Sequence, residues 1–305
     1  MTSGDATQQL ILFATYGASP SLTADDALYA SALERRGMRV EAAVWDDPAV
    51  AWSNAAAVVI RSTWDYHLRR DEFLAWVDRA GSATSLHNGA RVVRWNSHKK
   101  YLNELAKRHV PVIDTVFADA GSRLDLDLIA RAHGWTDTVV KPSVSASAHE
   151  TRRFSADDRE AGQLHLERLL AQRDVMVQPH LSALAERGEL SLLYARGRFS
   201  HAVRRRSALI ENDTMPKVAP AMASNVARRQ AYRVLAAAAD AIGVAPNDLL
   251  YARVDLAETG ADEYVLLELE LVEPSLFLVH APEAAEQYAN ELTGLLKPRG
   301  HKGLF

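Results

Sequence analysis

The 305-residue sequence contains no cysteine. That absence removes disulfides, thiolate-held zinc, iron–sulfur clusters and thiol nucleophiles together. An excess of positive charge is also lacking: 35 Lys and Arg stand against 39 Asp and Glu, a formal net charge of -4. Without a basic field to hold a phosphate backbone, no nucleic-acid partner is expected. No apolar run approaches the roughly 20 residues that span a bilayer, and the N-terminal MTSGDATQQL is polar and acidic, unlike a secretion signal. The expectation is a cytoplasmic protein without a membrane partner. Two motifs are missing as well. The first apolar strand is not followed by G-x-G-x-x-G, and His149-Glu150 is followed by Arg153 where a zinc-protease helix needs its second histidine.

What is present is an ordinary globular composition, 48% hydrophobic and 24% charged, in a chain long enough for two or three domains. LILFAT (10–15) reads as a buried strand and MRVEAAVW (38–45) and AAAVVIR (55–61) as two further strands, with a helix between the first two that stops near Gly37. This βαβ rhythm predicts a parallel sheet. Near residue 95 the pattern changes. Helices are predicted near 98–108, 124–133 and 156–172, around strands at 138–142 and 175–179. The remainder mixes strands (190–195, 199–204, 250–256, 264–272) with helices (226–242, 281–296). The fold class is α/β with α+β character.

The most informative segment is YARVDLAETGADEYVLLELELVEPSLF (251–277), two apolar strands around a turn at Gly260. Alternation puts Glu268 and Glu270 on one face and Leu267, Leu269 and Leu271 on the other, the core face. If the hairpin pairs about the middle of its turn, Asp255 lies opposite Glu268. Three like charges so close repel one another, unless a cation sits among them. Oxygen ligands without His or Cys select Mg²⁺ or Mn²⁺. A solvated acidic face and a hydrolase's acid/base pair are the competing readings.

Lys141 ends the strand TVVKP and precedes the small-residue loop SVSASA, whose Ser143, Ser145 and Ser147 add hydroxyls. A lysine beside unobstructed loop N–H groups can hold phosphates, whereas a plain surface lysine would look the same. In RWNSHKKYL (94–102), Asn96 or Ser97 is a plausible N-cap, with Lys99 in the first helical turn. A cation is disfavoured there by the helix dipole, which an anionic ligand would offset; alternatively Lys99 points to water. Along FSHAVRRRS (199–207), alternation sets Arg205 on the face opposite Arg204 and Arg206.

Taken in order, RSTWDYH (61–67), RWNSHKKYL (94–102), VVKPSVSAS (139–147), VQPHL (177–181), GELSLLY (188–194), FSHAVRRR (199–206) and the acidic hairpin resemble the motifs of the ATP-grasp superfamily. The nearest group is the cycloserine-forming cyclo-ligases and the glutathione-synthetase-like or RimK-like carboxylate–amine ligases, and the resemblance covers most of the chain. It implies an ATP-grasp fold with a Rossmann-like pre-ATP-grasp (substrate) domain over 1–95, a lid subdomain over 96–180 and a C-terminal subdomain with the metal site over 181–305. It further implies that Lys99, Lys141, Ser143 and Ser145 hold ATP phosphates. Gln178 to Leu181 would read adenine, and Glu189 would reach the ribose. Asp255, Glu268 and Glu270 would bind Mg²⁺, with Arg205 facing the phosphates. Glu270 departs from the asparagine common at this place. SALIENDTMPKVAPAMASN (207–225) also departs from the usual arginine-bearing stretch, leaving Arg204, Arg206 or Arg253 as substitutes.

The implied reaction joins a small, amino-acid-derived carboxylic acid to an amine through an acyl-phosphate, releasing ADP and phosphate. Arg205 and Arg253 are the catalytic candidates. Arg61, Trp64, Asp65 and Ser275 are the candidates for substrate binding, because Arg61, Trp64 and Asp65 follow a strand of the first sheet, where open α/β sheets take ligands. A structural Arg61–Asp65 ion pair with Trp64 in the core is the plain alternative. Ring closure within one substrate and a non-catalytic nucleotide-binding protein are the alternative functions. A homodimer is the default assembly for such an enzyme.

Overall fold

The computed structural model describes residues 8–206 and 218–296. Its first layer is a parallel sheet of order β2-β1-β3-β4, built from β1 (Leu10–Thr15), β2 (Arg39–Val44), β3 (Ala57–Ile60) and β4 (Ser85–His87). Helix α1 (Ala24–Glu34) joins β1 to β2, and α2 (Arg70–Ala83) joins β3 to β4. Apart from the terminal Thr15, β1 and β3 are apolar because both faces are covered. Ile11, Phe13, Ala57 and Val59 pack toward α1, whereas Leu12, Ala14, Val58 and Ile60 pack toward Phe73, Trp76 and Val77 of α2.

The helix expected over 98–108 is present, and a second, unexpected helix precedes it. α3 (Ala90–Asn96) ends where a start was predicted, and α4 (Tyr101–Lys107) begins after a turn. Asn96 therefore caps no helix. Its amide instead donates to Leu269 O (2.8 Å) and accepts from Leu271 N (2.7 Å), bonding the backbone of the acidic strand. Ser97 is the C-cap of α3 and Lys99 lies in the turn before α4, not in the first turn of a helix as expected.

The second sheet has the order β5-β8-β6-β7 and is antiparallel: β5 (Val116–Ala118), β6 (Thr138–Pro142), β7 (Arg152–Phe154) and β8 (Val175–Pro179). α5 (Leu126–His133) and α6 (Arg159–Leu170) cover one face through Leu126, Leu166, Leu169 and Leu170.

After α7 (Ser182–Arg187) the third sheet runs β11-β10-β9-β12-β13, with β9 (Glu189–Ala195), β10 (Arg198–Arg205), β11 (Val218–Pro220), β12 (Tyr251–Gly260) and β13 (Glu263–Glu270). α8 (Asn225–Ile242) presents Ala227, Ala231, Val234, Leu235 and Ala238 to it, a helical stripe. α9 (Ala284–Leu296) packs between Leu193 and Val203 of this sheet and α1. Each sheet lies within one of the three expected spans, but the core does not respect them. Tyr288 and Leu292 of α9 share one cluster with Phe13 and Tyr29 and with Leu193 and Val203. The departing segment 207–225 lies outside the described residues up to 217.

Candidate active site

The site starts from the hairpin register. Asp255 pairs with Glu268 and Arg253 with Glu270, as equal pairing about the turn predicts. A bulge between Asp255 and Leu256 then gives β13 one extra residue, so Leu256 faces Leu266. Leu266, Leu269 and Leu271 are consequently the core residues, and Leu267 is only half-buried, against the expectation from strict alternation. Carboxylate oxygens of Asp255, Glu268 and Glu270 all lie within 4.8 Å of one another.

Guanidinium groups already hold part of this cluster. Arg205, from β10, reaches Asp255 Oδ2 at 2.8 Å, Glu189 Oε2 at 2.7 Å and Ser191 Oγ at 2.9 Å. Arg253 donates to both oxygens of Asp255 and to Glu270. Burial raises the carboxyl of Asp255, but Arg205 and Arg253 reverse that and hold it below its ordinary value. Burial likewise opposes the charge of Arg253, and Asp255 and Glu270 more than offset it. Arg204 turns the other way, to Arg187 O and Glu258, as alternation required.

Glu270 is less well compensated. Burial pushes its pKa up, Arg253 pulls it down, and Glu268 and Asp255 push it up again, leaving it at about 7. Glu273 is raised well above the ordinary carboxyl, by burial first and by the charge of Glu270 second. An all-carboxylate donor set whose members raise one another's pKa fits a hard divalent cation.

Two lysines face the cluster from the other side. Lys99, 9% exposed, does not point to water: its Nζ donates to Ser145 O (2.8 Å) and pairs with Glu268 Oε1 (3.0 Å). It thus ties the small-residue loop to the acidic hairpin. Lys141 has no carboxylate within ion-pair distance among the described residues. Burial lowers its pKa, Glu268 opposes this, and Lys99 adds to it. The same lysines hold Glu268 below its ordinary value against the effect of burial. Ser143 is buried with its Oγ unpartnered, while Ser145 Oγ donates to His149 O. Gln178 Nε2 donates to Thr115 Oγ1, and Leu181 precedes α7. Glu189 is engaged by Arg205, and burial raises its pKa.

The substrate candidates divide. Arg61, Trp64 and Ser275 line one cavity of about 210 Å³, together with Thr23, Asp25 and Asp26. Asp65 lies elsewhere, accepting from Trp45 Nε1 (2.9 Å) and Arg69 (2.9 Å). The expected alternative pair is therefore replaced: Arg61 Nε binds Asp26 at 2.6 Å, both groups buried, and its Nη2 donates to Pro274 O at 3.0 Å. Asp26 escaped notice because an acid in a first helical turn looks like a dipole partner. Arg61 Nη1 is buried without a partner.

Residues 11–88 match the family profile of the N-terminal domain of D-cycloserine synthetase DcsG. The chain is 34% identical over 272 residues to the cycloserine biosynthesis protein DcsG of Streptomyces lavendulae, an alignment covering 86% of this chain and 90% of that protein. It belongs to the DcsG family of ATP-grasp ligases. A crystal structure of D-cycloserine synthetase DcsG superimposes with a TM-score of 0.86 at 31% identity, covering 94% of this chain and all of that one. D-alanine–D-alanine ligase from Bacillus anthracis, 12% identical, superimposes with a TM-score of 0.67 over 95% of this chain and 96% of its own, and shares the fold. As a member of this family the chain is an ATP-dependent carboxylate–amine ligase.

Proposed function

We propose that this ligase activates a small amino-acid-derived carboxylate as an acyl-phosphate, at the expense of ATP, and passes the acyl group to an amine-type nucleophile. The reading rests above all on one arrangement: three converging carboxylates of the hairpin, faced by Lys99 and Lys141. In it Glu268, Glu270 and Asp255 hold Mg²⁺ or Mn²⁺, which neutralises charge on the ATP phosphates. Lys141 takes a phosphate oxygen, which its lack of a carboxylate partner leaves it able to do. Lys99 closes the loop carrying Ser143 and Ser145 over the phosphates. Arg205 and Arg253 keep the cluster together and offset charge on the transferring phosphoryl group. Gln178 to Leu181 and Glu189 take the nucleoside. Residues 1–95 and the loop after β13 together supply the acid's site, where Arg61 Nη1 receives the carboxylate and Trp64 and Ser275 bound the cavity. The cavity of about 210 Å³ suits a molecule of amino-acid size.

A second reading is ring closure within one molecule. The identity of 34% to a cycloserine biosynthesis protein favours it.

The test is ADP release with Mg²⁺ across amino acids, hydroxy acids and O-substituted serines, singly and in pairs. Substrate-dependent release that drops about 10²-fold or more in Lys141→Ala and Glu268→Gln is expected. Release with a single compound, and a product one water lighter, identifies ring closure. Calorimetry showing no ATP binding would overturn the proposal.

A further inference from the structure

The segment after β3 carries an unusual debt of hydrogen bonds. Among the described residues, ten buried side-chain polar atoms have no partner, and four of them fall between residues 61 and 67: Arg61 Nη1, Ser62 Oγ, Thr63 Oγ1 and His67 Nε2. Buried polar groups are nearly always satisfied, and each orphan costs about 1–3 kcal/mol. Four at the C-terminal end of a parallel strand mark the place where this fold class receives ligands.

His67 is the member whose chemistry is fixed. Its Nδ1 lies 2.9 Å from the Trp64 carbonyl oxygen, which only accepts, so Nδ1 bears the proton and donates. Nε2 is therefore a lone pair, buried and unpartnered. Trp64, which fixes the tautomer, lines the cavity with Arg61 and Ser275. On the other side the ring meets His149 of the small-residue loop, with centroids 5.1 Å apart. The imidazole thus stands between the first sheet's ligand edge and the loop that Lys99 holds to the hairpin.

We infer that His67 Nε2 is the proton acceptor for the nucleophile in the second half of the reaction. This rests on the acyl-phosphate reading above. As the amine nitrogen bonds to the acyl carbon, the carbon–oxygen bond to phosphate breaks. One N–H proton moves to Nε2, and phosphate leaves with the electron pair. His67 becomes an imidazolium, still donating to Trp64 O, and returns its proton to solvent when the loop opens. The base is ready at neutral pH. Burial lowers its pKa, the Trp64 carbonyl opposes this, His149 and Lys99 lower it further, and Asp65 opposes them.

The experiment uses the whole protein, ATP, Mg²⁺ and the acid that releases ADP in the panel above. Its own amine is compared with hydroxylamine, which is largely unprotonated at neutral pH and needs no base. In His67→Gln the ratio of amine product to hydroxamate should fall about 10²-fold. The wild-type amine reaction should gain rate with pH through a pKa below the ordinary histidine value, and the variant should lose that limb. An unchanged ratio, or an acidic limb retained in the variant, overturns the proposal. The wild-type pH profile decides the matter if the variant does not fold: a rate flat from pH 5 to 8 also overturns it. Absence of hydroxamate from the wild type while ADP is released would instead refute the acyl-phosphate reading.

Discussion

At the scale of single residues, the site is organised by which charges lack full compensation. Asp255 accepts from Arg205, Arg253 and Ser191, and Glu268 is held by Lys99. Glu270 is left with Arg253 against two neighbouring carboxylates, and its pKa stands at about 7. A raised folded-state pKa has a defined sign. Protonated Glu270 contributes stability in full below the ordinary 4.5, and that contribution is lost as pH rises through about 7. The stability difference between wild type and Glu270→Gln should therefore shrink or invert across this window in metal-free protein. Mg²⁺ must displace the proton, so its affinity should strengthen from pH 6 to 8 in wild type and not in the variant. Thermal melts and calorimetric titrations at several pH values check both. Affinity that is independent of pH would remove Glu270 from the ligand set.

At the scale of elements, strand register rather than residue type positions the chemistry. Arg205 reaches the acids because β10 ends beside Glu189, its partner across the ladder. Gly188 makes that approach feasible. Its φ is +71°, and a Cβ there would run into the Arg205 carbonyl oxygen. Gly188→Ala should cost about 1 kcal/mol or more, and it should displace Arg205, so that Mg²⁺-dependent ATP affinity falls along with stability. Chemical denaturation and calorimetry measure the two. An alanine variant with unchanged ATP affinity would show that Arg205 is placed by other contacts. The bulge beside Asp255 works in the same way, setting Leu266 into the core while the paired acids stay on the other face.

At the scale of the molecule, one cluster links the first and last sheets. Tyr288 of α9 packs on Tyr29, centroids 5.9 Å apart, within a core that also contains Phe13, Leu193 and Val203. The 210 Å³ cavity sits beside it, between α1 and the loop after β13. Asp25 of α1 accepts from Phe277 N and Val279 N of that loop, at 2.8 and 2.9 Å. Tyr288→Ala should cost about 3–5 kcal/mol, and both sheets should respond to it in one transition. Coincident melts by tryptophan fluorescence, to which four of the six tryptophans (Trp45, Trp52, Trp64 and Trp76) contribute from the first layer, and by far-ultraviolet circular dichroism would establish this. Separate transitions would show that the shared core does not couple them.

The sequence by itself determined the parallel first sheet and where most strands and helices fall, because apolar runs and helical stripes report burial directly. It also determined the acidic hairpin, because period-two alternation and a short turn leave few registers. Asp255 opposite Glu268 and Arg205 turned from Arg204 followed from those rules. Other features were decided only by the tertiary structure, because they depend on residues far apart in the chain. Arg61 takes Asp26 rather than Asp65 because the first turn of α1 reaches the residue after β3, and proximity in sequence had suggested the wrong partner. Asn96 serves β13 rather than a helix, a role that local capping preference cannot foresee. His67 was indistinguishable from a surface histidine until its tautomer and its unpaired nitrogen were fixed by burial, which is a property of the whole fold.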